Sequence, residues 1–154
     1  MAGTIRIIDT SVLCNLLRVP NRDQESARAT EELREAFASG DALLLPIPVI
    51  YETGNHIAQN GDGTVRRKVA RAFVELVQKA FNGTIPFTPT PLQDTDEVLG
   101  WIAEFPEHAA AGMGLGDLSI IKIFHQQCDL NHGRRVVIWS YDKHLQGFDR
   151  PPLL

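Results

Sequence analysis

Short, uniformly apolar runs alternate along this chain with longer stretches of helical periodicity. Residues 4–8 are rich in β-branched side chains and end at Asp9, and Thr10 and Ser11 then open the apolar stretch 12–17. That pattern predicts a strand-to-helix turn with an acid at the strand's end. Residues 42–45 predict a second strand, 85–87 a third and 136–139 the last clear one, while the tail 148–152 offers little for another. Between them, Asp23 is placed to cap a helix reaching about Ser39, with Ala27, Thr30, Leu33 and Phe37 on one face. Pro48 fits the first turn of a helix running to about Ala58, which puts Glu52 early in it. The best periodic signal follows Thr64, with Val65, Val69, Phe73, Leu76 and Ala80 at helical spacing up to Asn82-Gly83. A further helix is predicted over 94–105, its stripe of Trp101 and Phe105 packing inward. Small residues at 109–116 then read as a loop, and Asp117 heads a helix that turns Leu118, Ile121 and Phe124 inward. Such alternation predicts an α/β protein whose parallel sheet is covered on both faces.

The length of 154 residues suits one domain with a proper core, and no repeat or linker divides it, so residues 1–154 read as a single domain. A formal charge of −4 supplies no general basic field, so phosphate binding needs something besides net charge. Cys14 and Cys128 follow no metal-ligand spacing and are too few for a disulfide framework, which favours a reducing, cytoplasmic setting. Cys14 itself reads as a small core residue. Neither a signal peptide nor a membrane helix is expected, since charge interrupts every apolar run well short of about 20 residues.

Four acids stand at element boundaries: Asp9, Glu52, Asp117 and Asp142. In doubly wound sheets the functional crevice lies outside the carboxyl ends of the strands, where Asp9 and Asp142 are predicted. Carboxylates converging there would repel one another unless a cation neutralised them. Oxygen-only donors select a hard ion, Mg²⁺ or Mn²⁺, and such ions support phosphodiester hydrolysis by an activated water. Arg66, Arg67, Lys68 and Arg71 form a local basic face that could meet a nucleic-acid backbone, with Arg134 and Arg135 as a weaker second patch.

Asp9-Thr10-Ser11, Pro48-Val49-Ile50-Tyr51-Glu52, Gly116-Asp117-Leu118-Ser119 and Trp139-Ser140-Tyr141-Asp142 resemble, in order and spacing, the four motifs of PIN-domain nucleases. The resemblance covers almost the whole chain. It implies an α/β/α sandwich with a central parallel sheet of four to five strands, and metal-dependent endoribonuclease activity of the kind shown by toxins of VapBC-type pairs. It further implies that Asp9 and Asp117 are the principal metal ligands, that Glu52 and Asp142 complete the acidic pocket, and that Ser11 and Ser140 orient the carboxylates. A cognate antitoxin and a homodimer are the partners it suggests, beside the RNA substrate. Leu118, Ile120 and Tyr141 are bulkier than the motifs usually carry, and are expected to narrow the pocket.

Each acid has a plainer reading as well. Glu52 and Asp117 can compensate a helix dipole, worth about 0.3–1 kcal/mol, and Asp142 can cap its own turn, with Asp149 as its closest impostor. Asp9 resists that reading, because a carboxylate closing an apolar strand is partly buried and wants a partner. Asn55, one turn beyond Glu52, is a candidate for contact with water or substrate. Glu52 and His56 share a helix face without making a zinc site, and His125 and His132 have no partner at a recognisable spacing. A receiver domain also places acids at strand ends, but needs an acceptor Asp after the middle strand, and residues 85–89 hold none. The contrasting function is a PIN-like module that binds RNA or protein without cutting.

Overall fold

The computed structural model describes residues 2–154. Four short strands, β1 (Ile5–Ile8), β2 (Ala42–Leu45), β3 (Phe87–Pro89) and β4 (Val136–Trp139), run parallel, and β5 (Asp149–Arg150) adds a short antiparallel edge to β4. The order across the sheet is β3-β2-β1-β4-β5. Among the described residues six helices connect and cover it: α1 (Thr10–Leu16), α2 (Ser26–Ala38), α3 (Ile47–Gln59), α4 (Gly63–Phe81), α5 (Thr95–Ala110) and α6 (Leu115–Leu130). The α/β architecture with a mostly parallel central sheet is therefore present, and it is compatible with a PIN-like sandwich. No helix among the described residues is long and apolar enough to cross a membrane.

Ile7, Ile8, Leu43, Leu45, Val136 and Ile138 from the sheet pack with Val12, Leu13, Val49, Ile120 and Ile123 from the helices. Strands this rich in apolar residues suit a sheet covered on both faces, and Arg6, the charged residue in β1, is paired with Asp41 at 2.6 Å. The register carries Ile8 opposite Trp139, and the Asp9 N–H continues the ladder to the Trp139 carbonyl at 3.0 Å. Asp9 is thereby fixed beside the end of β4.

Several boundaries differ from the sequence reading, each for a local reason. The third strand lies at 87–89 instead of 85–87. Pro86 has no N–H to offer, whereas Pro89 is tolerated because β3 is an edge strand. Pro106 does not end α5, which continues to Ala110. This helix buries none of its residues fully, so water can satisfy the carbonyl that the proline leaves free. The expected loop at 109–116 shrinks accordingly, and α6 starts at Leu115 behind Gly114. Asp62, not Thr64, caps α4 by accepting from the Val65 N–H at 2.9 Å. Asp23 does not cap α2 either. The first turn is held instead by the Glu25 N–H donating to Asn15 Oδ1 at 2.8 Å, and the buried face carries Ala29 and Ala36 while Ala27, Thr30 and Phe37 are exposed.

Candidate functional site

From β1 the chain moves outward through β2 to β3 on one side, and only later returns to place β4 on the other side of β1. The point where strand order reverses lies between β1 and β4, where such sheets open a crevice at their carboxyl ends. A cleft of about 300 Å³ is found there, and Asp9, Glu52, Asp117 and Asp142 all line it. They arrive from the end of β1, from α3, from the first turn of α6 and from the segment after β4.

Asp9 is buried and is the N-cap of α1. Its Oδ2 accepts from Ser11 Oγ and Ser140 Oγ, each at 2.7 Å, and from the Ser11 N–H at 3.3 Å. The two serines are themselves held, because Ser11 Oγ accepts from the Tyr141 N–H at 3.0 Å and Ser140 Oγ from the Asp142 N–H at 2.9 Å. Ser11 and Ser140 thus orient Asp9 and fasten the segment after β4 to the start of α1. Among the described residues nothing donates to Asp9 Oδ1, which remains available to an ion or its water.

The other acids are held less firmly. Glu52 sits in the second turn of α3, not the first, so compensation of the helix dipole does not explain it. Thr10 Oγ1 donates to its Oε2 at 3.3 Å. Burial, followed by the Asp9 charge, pushes its carboxyl above the usual range. Asp117 is raised further, from 3.8 to about 6, by burial first and then by the charges of Asp142, Asp9 and Glu52. Asp142 accepts from the His144 N–H at 2.9 Å, so it caps its turn while lining the cleft, and the two readings of it coexist. His56 approaches Glu52 only to 3.9 Å. Burial and the nearby Arg22 charge lower the imidazole pKa, which leaves it neutral at pH 7.

Glu52 and Asp117 are thus both raised, first by burial and then by the charges of neighbouring acids. Among the described residues, however, no three Asp, Glu, His or Cys side chains converge closely enough to hold one ion between them. The four carboxylates that line the cleft are oxygen donors of the kind a hard ion such as Mg²⁺ takes.

Other predicted residues lie elsewhere. Arg66, Arg67, Lys68 and Arg71 are exposed on α4 and none lines the cleft. Arg135 of the second patch is occupied by Asp149, with two hydrogen bonds of 2.8 and 2.6 Å, which also removes Asp149 as a rival to Asp142. Asn55 lines a separate, mainly apolar groove of about 600 Å³, bordered by Tyr51, Leu92, Trp101 and Ile102, that meets the cleft only at Glu52. Leu118 and Ile120 are fully buried and do not narrow the cleft, whereas Tyr141 does line it. His125 and His132 are exposed and outside it.

Two contributors were not singled out from sequence. Asn15 is buried, donates to the Ser11 carbonyl at 2.7 Å and receives Glu25, tying α1 to α2 beside the cleft. A polar residue one turn after Ser11, inside the otherwise apolar stretch 12–17, is its signal. Arg22 also lines the cleft, and no local pattern marks it. No protein-family model and no curated protein matches the chain.

Proposed function

We propose that this chain is a PIN-like endoribonuclease, dependent on Mg²⁺ or Mn²⁺, which hydrolyses RNA phosphodiester bonds. One observation carries the reading: four acids distant in sequence line a single cleft at the switch point of a parallel sheet, in the order and spacing that the motif resemblance implies. Asp9 and Asp117 would be the principal ligands, with Glu52 and Asp142 acting directly or through water. The ion would supply charge neutralisation and a water more acidic than bulk. The chain's own groups do the rest. Ser11 and Ser140 hold Asp9, and Thr10 steadies Glu52. The reading includes a cytoplasmic setting, where Cys14 and Cys128 remain free thiols. Burial pushes Cys14 up to about 12, so it serves as a core residue and not a nucleophile. A homodimer or an antitoxin-like partner belongs to the same proposal, supported by the apolar groove beside Glu52 on which Tyr51, Leu92 and Ile102 are exposed.

Cleavage of a labelled single-stranded RNA with and without Mn²⁺ tests this reading. Activity that appears with the metal and disappears in EDTA is the expected result, and activity indifferent to EDTA contradicts it. Tyr141, bulky beside Asp142 and part of the cleft lining, favours a second reading, a PIN-like module that binds RNA or protein without cutting. Titration of Mn²⁺ separates the two, because no change at millimolar metal is the result the module predicts.

Gly116 offers a finer test of Glu52. A Cβ at that position would lie 2.9 Å from Glu52 Oε2, a movable carboxylate tip. Gly116→Ala should therefore shift the carboxylate without disturbing the core. Cleavage is expected to fall by roughly tenfold, since small misplacements at a reacting centre are amplified. Thermal melting, measured alongside, should stay within a few degrees.

A further inference from the structure

We propose that Arg22 is a substrate-binding residue, whose guanidinium grips a phosphate of a single RNA strand in the acidic cleft. The inference rests on the nuclease reading for the identity of its ligand. It stands on three observations about this residue.

Among the described residues lining the cleft, Arg22 is the sole Lys or Arg. Among the described residues it also makes no ion pair, although acids share the same lining. The neighbouring arginine on α2 differs, since Arg28 is paired with Glu32 at 2.7 Å. The third observation concerns the backbone. Arg18 and Asn21 both adopt left-handed conformations, at φ 56° and 64°, in a connection held by Val19 N–H to the Cys14 carbonyl and Arg22 N–H to the Val19 carbonyl, each at 2.9 Å. Non-glycine residues held in that region require support from their surroundings, and such conformations gather at functional sites. Asn21 Nδ2 adds a bond to Asn60 Oδ1 at 3.2 Å, which anchors the connection to the end of α3. The main chain at Arg22 is thus fixed while its charged head is left uncommitted.

A polyanion entering a cleft lined by four acids meets repulsion wherever a metal does not cancel it. A guanidinium offers two parallel N–H donors matched to phosphate oxygens, and it stays charged at every relevant pH. The basic face on α4 cannot perform this task, because it lies outside the cleft.

Equilibrium binding of a fluorescein-labelled single-stranded oligoribonucleotide, in EDTA and over a series of salt concentrations, reads the contact without any cleavage. Arg22→Ala should weaken binding roughly tenfold, the scale of one charge-assisted contact. It should also reduce the salt slope by about 0.7, the value for one phosphate contact on a single strand. Arg22→Lys should keep the slope and recover part of the affinity. With Mn²⁺ present, Arg22→Ala should raise KM more than it lowers kcat. Unchanged affinity and slope in Arg22→Ala, with an unchanged melting temperature, would overturn the proposal. So would equal losses in the Ala and Lys variants accompanied by a lowered melting temperature, which indicate a structural counter-ion. Wild-type protein that binds RNA through Arg22 but cuts nothing supports the contact while refuting the nuclease reading. Cleavage indifferent to Arg22→Ala does the reverse.

Discussion

Asp9→Asn is expected to abolish metal-dependent RNA cleavage while leaving the fold intact. Asparagine caps helices as well as aspartate does, and its amide can still accept from the Ser11 N–H, so α1 should start where it does now. What disappears is the negative charge and the carboxylate oxygen to which no group among the described residues donates. Ser140→Ala supplies the scale. Ser140 Oγ donates to Asp9 at 2.7 Å and accepts from the Asp142 N–H at 2.9 Å, so its removal loosens two acids at once without deleting either. Outer partners of metal ligands are worth about 10–100-fold in activity or metal affinity, and the Asp9→Asn loss should exceed that range. Asp9→Ala is a poorer probe, because it strands the Ser140 hydroxyl, which is buried, at about 1–3 kcal/mol. Cleavage rates set beside thermal melts check all three variants. An Asp9→Asn protein that melts normally and retains wild-type cleavage would remove Asp9 from the centre of the site.

What could be read from the sequence follows from how local each signal was. β2 and β4 were legible as four-residue apolar runs and β1 as a β-branched one interrupted by Arg6, and the Asp9 and Asp142 positions follow from where β1 and β4 stop. The burial of Asp9 was legible for the same reason. Misread elements had prolines whose effect depends on tertiary setting: Pro89 is harmless on an edge strand, and Pro106 is tolerated in a helix lying near the surface. The inward face of α2 was read correctly only at Leu33, because its fully buried residues are the small Ala29 and Ala36, while larger Phe37 is left 44% exposed.

The acids and the crevice at the strand ends were legible, but the rest of the cleft's lining was not. The basic run on α4 was visible as a face, yet its direction depends on how α4 packs against α3, which no periodicity encodes. Arg22 enters the cleft only because Arg18 and Asn21 turn the chain through left-handed conformations, and neither residue is a glycine that would have announced the turn. Asn15 acts by bridging two helices. Roles created by chain reversal and helix packing leave no local trace.

Asp117→Asn should make the protein more stable at pH 7 while eliminating its metal-dependent activity. The folded chain raises the Asp117 carboxyl from 3.8 to about 6, with burial as the main cause and the charges of Asp142, Asp9 and Glu52 behind it. Between those two values the folded state therefore holds more protons than the unfolded state. Stability falls as pH rises through that window and remains at its lower level above pH 6. The amide carries no charge to desolvate, so the variant should lose this part of the slope and match wild type below about pH 4. A shift of this size on a half-buried group, discounted for solvent screening, corresponds to about 1 kcal/mol. For a domain of this length that is a gain of roughly 2–4 °C in melting temperature at pH 7. Glu52 is raised in the same direction and should keep some slope in the variant. Millimolar Mn²⁺ should stabilise wild type at pH 7 and lose much of its effect at pH 5, where protons compete for the same carboxylates. The variant should respond weakly at both. Melting curves across pH 4–8, with and without Mn²⁺, decide the matter: an Asp117→Asn protein that melts below wild type at pH 7 would mean that Asp117 is a structural acid, stabilised by its neighbours instead of strained by them.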